Sequence, residues 1–355
     1  YDYASFLYDQ CQYQKSLELA QRLEHWYALE PDTSAVRRAK LYNLIGLDHS
    51  AQNDFLTAKK AYQEVLKIYR DLAGKDSDVY QLNLANSCNN LAILFFHIGS
   101  FKEAEKLYRE ALKIHRDLAE KSSDAYLPYL ANSCNNLATL LRNTGSFKEA
   151  EKLYREALKS YHDLAEKNSD AYLPYLANSC NNLADLLCNT GSFKEAEELC
   201  REALKICSDL AEKNSDAYLP YLARSCNNLA DLLCNTGFFK ESEELYREAL
   251  KIYRSLAEKN PDAYLPDLAL SCSNLASLLQ DVHSFKEAEK LHREALKIRR
   301  DLAEKNPDVY LPSLALGCNN LAYLLSDTGS SKEAEELYRE ALKIYRDLSE
   351  KNPDA

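Results

Sequence analysis

Metal ligation and thiol chemistry are the first possibilities the side chains raise, because the chain of 355 residues carries 7 His and 11 Cys. The histidines are His25, His49, His97, His115, His162, His283 and His292, and no two of them form a His-x-x-x-His or His-x-x-Glu-His pair. Six cysteines, Cys88, Cys134, Cys180, Cys226, Cys272 and Cys318, stand 46 residues apart. On equivalent elements with axes ~8–10 Å apart they cannot meet the ~7 Å Cα limit of a disulfide. Cys200 and Cys207 are two helical turns apart, ~10 Å along the axis, which is too far for joint ligation. All of the cysteines are therefore expected to be free thiols. No Gly-x-Ser-x-Gly elbow occurs, and no histidine recurs beside the cysteines to lower a thiol pKa. The carboxylates lie in Lys-Glu-Ala-Glu and Arg-Asp-Leu-Ala-Glu-Lys runs with basic neighbours, the pattern of a solvated face rather than of acid–base work. Of 8 glycines, five (Gly99, Gly145, Gly191, Gly237 and Gly329) fall at one repeated place, so little glycine remains for a phosphate-cradling loop. No catalytic residue, metal or cofactor is expected.

Charge narrows the partners. Lys plus Arg 44 against Asp plus Glu 55 gives a net charge of −11, which argues against a nucleic-acid groove. No apolar run of about eighteen residues is present, and the first residues lack the basic start and apolar core of a signal peptide, so neither membrane insertion nor export is expected. A cytoplasmic protein is the default. Methionine is absent even at position 1, and the chain reads as a piece of a longer protein.

One polar pattern needs a reason. Asn89, Asn135, Asn181, Asn227 and Asn319 share one place, with Asn86, Asn132 and Asn178 three residues earlier, although asparagine is a mediocre helix former. The adjacent row Asn90, Asn136, Asn182, Asn228, Asn274 and Asn320 is expected to bond across repeats. For the first row two roles stay open, ligand contact and inter-repeat bonding. The ligand role predicts that alanine at Asn135, Asn181 and Asn227 abolishes binding and leaves melting nearly unchanged. One turn further along stand Ile93, Thr139, Asp185, Asp231, Ser277 and Tyr323, and beyond them Phe96, Arg142, Cys188, Cys234, Gln280 and Ser326. These varying positions change from apolar near the N-terminus to acidic in the middle, so a ligand with basic residues is expected there.

The elements that carry these residues follow from periodicity. Leu130, Cys134, Leu137, Ala138 and Leu141 recur at three- and four-residue steps, the stripe of a helix, here helix A. Gly145 closes it in the left-handed conformation. Ser146 with Glu149 reads as a capping box for helix B, repeated at Ser100 and Glu103, Ser192 and Glu195, Ser284 and Glu287, and Ser330 and Glu333. Phe238 replaces the serine once, predicting a weaker turn. Helix B buries Phe147, Ala150, Leu153, Tyr154, Ala157 and Leu158, while Glu151 and Arg155 pair on its other side. Tyr108, Tyr246 and Tyr338 match Tyr154 and are expected in the core. Asn-Pro-Asp or Asn-Ser-Asp ends helix B, and Pro128, Pro174 and Pro220 are expected in the first turn of the next helix A. The unit is an αα-hairpin repeated over residues 79–124, 125–170, 171–216, 217–262, 263–308 and 309–355, after degenerate units at 1–33 and 34–78. Neighbouring hairpins must stack, because each leaves apolar surface that only the next can cover.

Gly145, Phe147, Ala150, Tyr154 and Ala157, with Leu137 and Ala138 before them, resemble the tetratricopeptide repeat pattern over nearly the whole chain. The 46-residue period and the Ala-Glu-x-Leu-Tyr-Arg-Glu-Ala-Leu wording are similar to the long repeats of kinesin light chains. The near-identical copies look like arrays in bacterial multidomain signalling proteins, some of which resemble fusions to caspase-like proteases or nucleotide switches. The usual helix-A glycine is replaced by Ala138, and likewise by Ala92, Ala184 and Ala230. The resemblance implies an all-α, right-handed superhelical solenoid whose A helices line a concave groove. It also implies that the first asparagine of each pair meets an extended peptide.

The expected function is a non-catalytic protein–protein interaction scaffold. Its expected contacts are Asn89, Asn135, Asn181, Asn227, Asn319, Asn86, Asn132, Asn178, Ile93, Phe96, Arg142, Asp185 and Asp231. Two rival readings are a regulatory segment that controls an attached effector, and a spacer or rod that self-associates through open array ends.

Overall fold

The structure is a computed structural model and describes residues 2–9, 12–29 and 34–351. Cys11 and the end of the degenerate unit at Thr33 lie outside the described residues. Sixteen α-helices and no strand occur among them: α1 (Asp2–Asp9), α2 (Tyr13–Leu29), α3 (Ala35–Ala51), α4 (Phe55–Lys75), α5 (Ser77–His97), α6 (Phe101–Lys121), α7 (Ser123–Asn143), α8 (Phe147–Lys167), α9 (Ser169–Asn189), α10 (Phe193–Lys213), α11 (Ser215–Asn235), α12 (Phe239–Lys259), α13 (Pro261–Asp281), α14 (Phe285–Lys305), α15 (Pro307–Asp327) and α16 (Ser331–Lys351). Odd-numbered members from α3 onward are A helices and even-numbered ones B helices. The chain divides into two compact units, residues 1–169 and 170–355. Within each, a helix packs on its predecessor and successor, and A helices also touch the next A helix. This is the all-α tandem-hairpin array that the periodicity predicts.

The core of each hairpin is the predicted stripe, except that Phe147, expected in it, is 40% exposed at the start of α8 and Leu158 is half-buried. Cys134, Leu137, Ala138, Leu140 and Tyr154 are fully buried in the first unit, as are Cys180, Leu183, Leu186 and Ala196 in the second. Tyr108 and Tyr246 are buried as well, but Tyr338, on the last described helix α16, is 40% exposed. Gly99, Gly145, Gly191, Gly237 and Gly329 take φ of +76° to +87°, and Asn53 and His283 hold the same left-handed place with φ of 62°. All ten described cysteines are free thiols. Burial raises the pKa of Cys134 and Cys226 to about 12 and of Cys318 to about 11.

Two local expectations are overturned. Ser100, Ser146, Ser192 and Ser284 stand at the N-caps of their B helices, yet none of their side chains accepts a capping hydrogen bond. Their ψ angles of 54° to 64° depart from the extended backbone that aims an N-cap hydroxyl into the first turn. The glutamates three residues on serve the neighbouring repeat instead. Arg109 donates to Glu149 at 2.7 and 3.0 Å, Arg247 to Glu287 at 2.8 and 2.9 Å, and Arg293 to Glu333 at 2.7 and 3.0 Å. The same arginines also grip a carboxylate one turn back, such as Glu105 at 2.8 Å from Arg109, and the predicted Glu151–Arg155 pair is present at 2.9 Å. Phe238 therefore costs its turn no capping bond. The prolines are the second correction. Pro128, Pro174 and Pro220 lie inside their helices, one turn beyond the start, whereas Pro261 and Pro307 take the first-turn place.

Candidate interaction groove

The A helices of the first unit frame a cleft of about 380 Å³. Its lining comes from α3, α5 and α7 and includes Asn43, Asn86, Asn90, Ile93, Asn132 and Asn136, with Tyr69 of α4 at its base. The cleft thus gathers the expected Asn86, Asn89, Asn132 and Ile93 in one place, Asn89 only by its buried edge. Phe96 does not line it; its ring packs on His97 and Phe101, with centroids 5.9 and 5.8 Å away. Arg142 sits at the end of α7, beside Asn143.

The first asparagine row is engaged inside the joints between repeats. Asn89 Nδ2 donates to Ser133 Oγ at 3.0 Å, Asn181 to Ser225 at 3.2 Å and Asn227 to Ser271 at 2.8 Å. These three asparagines are 5%, 6% and 7% exposed, and their Oδ1 atoms find no hydrogen-bond partner. Asn135 and Asn319 are half-buried. A third side chain from the intervening B helix completes two of these joints. His115 Nδ1 lies 2.7 Å from Ser133 Oγ, and Ser225 Oγ donates to Cys207 Sγ at 3.4 Å. His115 is fully buried, and desolvation lowers its pKa to about 4, so the ring is neutral at physiological pH. The second row also bonds across repeats: Asn90 Nδ2 donates to Asn43 Oδ1 at 2.8 Å, and Asn274 Nδ2 reaches Asp231 Oδ1 at 3.5 Å. The serines that receive the first row went unremarked in the sequence, although they stand one residue before five of the six repeated cysteines, with Gly317 before Cys318.

In the second unit, Asn178 Oδ1 accepts a bond from Arg224 Nη2, so that asparagine neighbours a cation on the groove wall. Asp185 and Asp231 both face solvent. The Tyr246 hydroxyl donates to Asp231 Oδ1. Protein packed around the Asp231 carboxylate raises its pKa and the charge of Asp185 adds to the rise, while the tyrosine bond opposes it. In the preceding repeat Cys200 stands where Tyr246 stands, so Asp185 has a thiol rather than a phenol below it. Further along, Leu270, Leu316 and Tyr323 are exposed on α13 and α15, an apolar stretch that the expected gradient omitted. Among the described residues no group of His, Cys, Asp and Glu could hold a metal ion. No described helix is long and apolar enough to cross a membrane.

Tetratricopeptide repeat profiles match residues 38–78, 89–163, 135–211, 175–255, 221–301 and 267–347. The chain belongs to the tetratricopeptide repeat family. No curated protein matches it in sequence. Among solved structures it resembles BtubC (BKLC) from P. vanneervenii, with 24% identity over 70% of this chain and 92% of that one and a TM-score of 0.57. It also resembles the apo form of the quorum sensor NprR from B. thuringiensis, with 16% identity over 97% and 85% of the two chains and a TM-score of 0.63. The Rap conjugation gene regulator of plasmid pLS20, solved in complex with the Phr* peptide, aligns with 18% identity over 83% and 73% and a TM-score of 0.53. At these identities the likeness is one of fold.

Proposed function

We propose that this tetratricopeptide array is a non-catalytic scaffold that binds a protein or peptide segment along the face of its A helices. The asparagine-lined cleft of the first unit carries the reading. Paired amide donors and acceptors around a slot suit a peptide backbone, which presents both in alternation. The solved Rap regulator with its bound peptide is a precedent within the same fold. Ligand contact falls best to Asn86, Asn132 and Ile93 in the first unit and to Asp185, with the open edge of Asp231, in the second. The buried Asn89, Asn181 and Asn227 shape the wall behind them. Two carboxylates at equivalent places favour Lys or Arg in the segment that crosses those repeats. The test is a photo-reactive benzophenone residue placed singly at Ile93 and Ser277 in the groove, and at Lys159 and Lys251 on exposed B-helix positions. The reading requires a partner captured from the groove positions and not from the others; capture from Lys159 and Lys251 alone would refute it.

A second reading, end-to-end self-association, has its own observation. On α16, Leu342 is 49% exposed, whereas the equivalent Leu296 is 4% exposed under α15. Light scattering over a concentration series tests it: mass that rises with concentration in the native chain and stays constant in Leu342→Glu supports association through this face.

A further inference from the structure

We propose that the joint of α13, α14 and α15 binds a small anion, a carboxylate or a halide, between the Arg299 guanidinium and the Ser273 hydroxyl.

Every described joint is built from three places: an A-helix residue, a B-helix residue 26 positions later, and a second A-helix residue 44 positions after the first. Asn89, His115 and Ser133 form one set, Asn181, Cys207 and Ser225 another, and Asn227, Tyr253 and Ser271 a third. In each, the asparagine amide meets the serine hydroxyl. The last joint holds Ser273, Arg299 and Gly317, so all three places differ from the preceding joint. A Cβ on Gly317 would lie 2.9 Å from Arg299 Nη1 and 3.0 Å from Arg299 Cδ. A serine there would require the arginine side chain lying over the glycine to shift.

The substitution leaves donors without acceptors. Arg299 is 4% exposed, and its Nη1 has no hydrogen-bond partner. Ser273, also 4% exposed, stands where Asn227 reaches toward residue 271, and its Oγ has no partner either. Both groups converge on Gly317 by the register of the repeat. The neighbouring Cys272 and Cys318 are protonated thiols, their pKa values raised by burial to about 12 and about 11, and supply no negative charge. An arginine keeps its charge even when buried, so its compensation must come from an anion. A rotamer change of this long side chain opens the place between guanidinium and hydroxyl. Two N–H or O–H donors at one point suit a singly charged, compact acceptor. On the wall outside, Leu270 and Leu316 are half exposed, so a carboxylate carried by an apolar group can lie over them while its charged end enters. The site stands apart from the groove-binding reading, since free formate tests the donors alone.

The experiment compares thermal melting of the intact chain with the triple variant Ser273→Asn, Arg299→Tyr and Gly317→Ser, which installs the set found at Asn227, Tyr253 and Ser271. Sodium formate and sodium chloride are titrated into both. The native chain should show a saturable rise in Tm of about 2 °C beyond that of the variant. Ser273→Ala, which removes only the hydroxyl, should weaken the apparent affinity for formate about tenfold. N-acetyl-leucine and its amide then separate the sources. A larger response to the acid than to formate, with none to the amide, assigns the site to the carboxylate of an apolar ligand. Equal responses to the acid and to formate assign it to a free anion. Parallel salt curves for the native chain, the triple variant and Ser273→Ala would overturn the proposal.

Discussion

Asn227 shows how a residue can be conspicuous in sequence for the wrong reason. Its amide is buried against Ser271 at 2.8 Å, so replacing it with alanine strands a serine hydroxyl inside a joint rather than freeing a groove contact. Asn181→Ala with Asn227→Ala should therefore destabilise by about 1–3 kcal/mol per site, read as a lower denaturation midpoint. A midpoint unchanged by both would return these asparagines to the ligand. Asp48 gives a second residue-level prediction. Ser16 Oγ lies 2.8 Å from both the Ala4 carbonyl oxygen and Asp48 Oδ2. A hydroxyl has one proton, so when it goes to the carbonyl the bond to Asp48 needs the carboxylic acid form. Burial raises the Asp48 pKa to about 6, opposed by the Ser16 bond and by His49, which is itself paired with Asp54 at 3.0 Å. The folded pKa exceeds the unfolded one, so this stabilisation is complete below about pH 4 and is lost as pH rises through about 6, on the order of 3 kcal/mol. Asp48→Asn should remove that slope from the melting profile of residues 1–169, and an identical slope in the variant would contradict the assignment.

At the scale of the helix, the period of 46 and the apolar stripes made nearly every A and B element legible, because burial of one helix face is a local property of the sequence. The capping box was not. Ser146 and Glu149 satisfy its pattern, but Glu149 has a stronger partner in Arg109 of the preceding hairpin, 40 residues away in sequence. A pair at that separation is visible only once the stacking register is known. Ser146→Ala should then cost only a few tenths of a kcal/mol, while Asp54→Ala, which removes a bond of 3.1 Å to the Thr57 amide, should cost about 1 kcal/mol. Equal costs in chemical denaturation would restore the capping box. The joints were hidden for the same reason: Ser133 looked like filler between Asn132 and Cys134 until His115 and Asn89 were seen to converge on it.

For the whole chain, contacts among the described residues of each unit run between consecutive helices, between successive A helices and, through arginine–glutamate pairs, between successive B helices, so stability should be nearly additive in hairpins. Deleting the last hairpin from about Leu314 should leave a helical protein with a lower midpoint, and complete loss of helical circular dichroism would show that stability is not local. The groove is the part least legible in sequence, since its apolar places at Leu270 and Leu316 emerge only from exposure. Binding along this face is what the proposed function requires. Hydrogen–deuterium exchange of the intact chain, with and without a partner captured through Ile93, locates the contact. Slowed exchange should appear in the A helices α5, α9, α11 and α13 and leave the B helices unchanged. Protection confined to B helices, or to α16 alone, would contradict binding along the A-helix face.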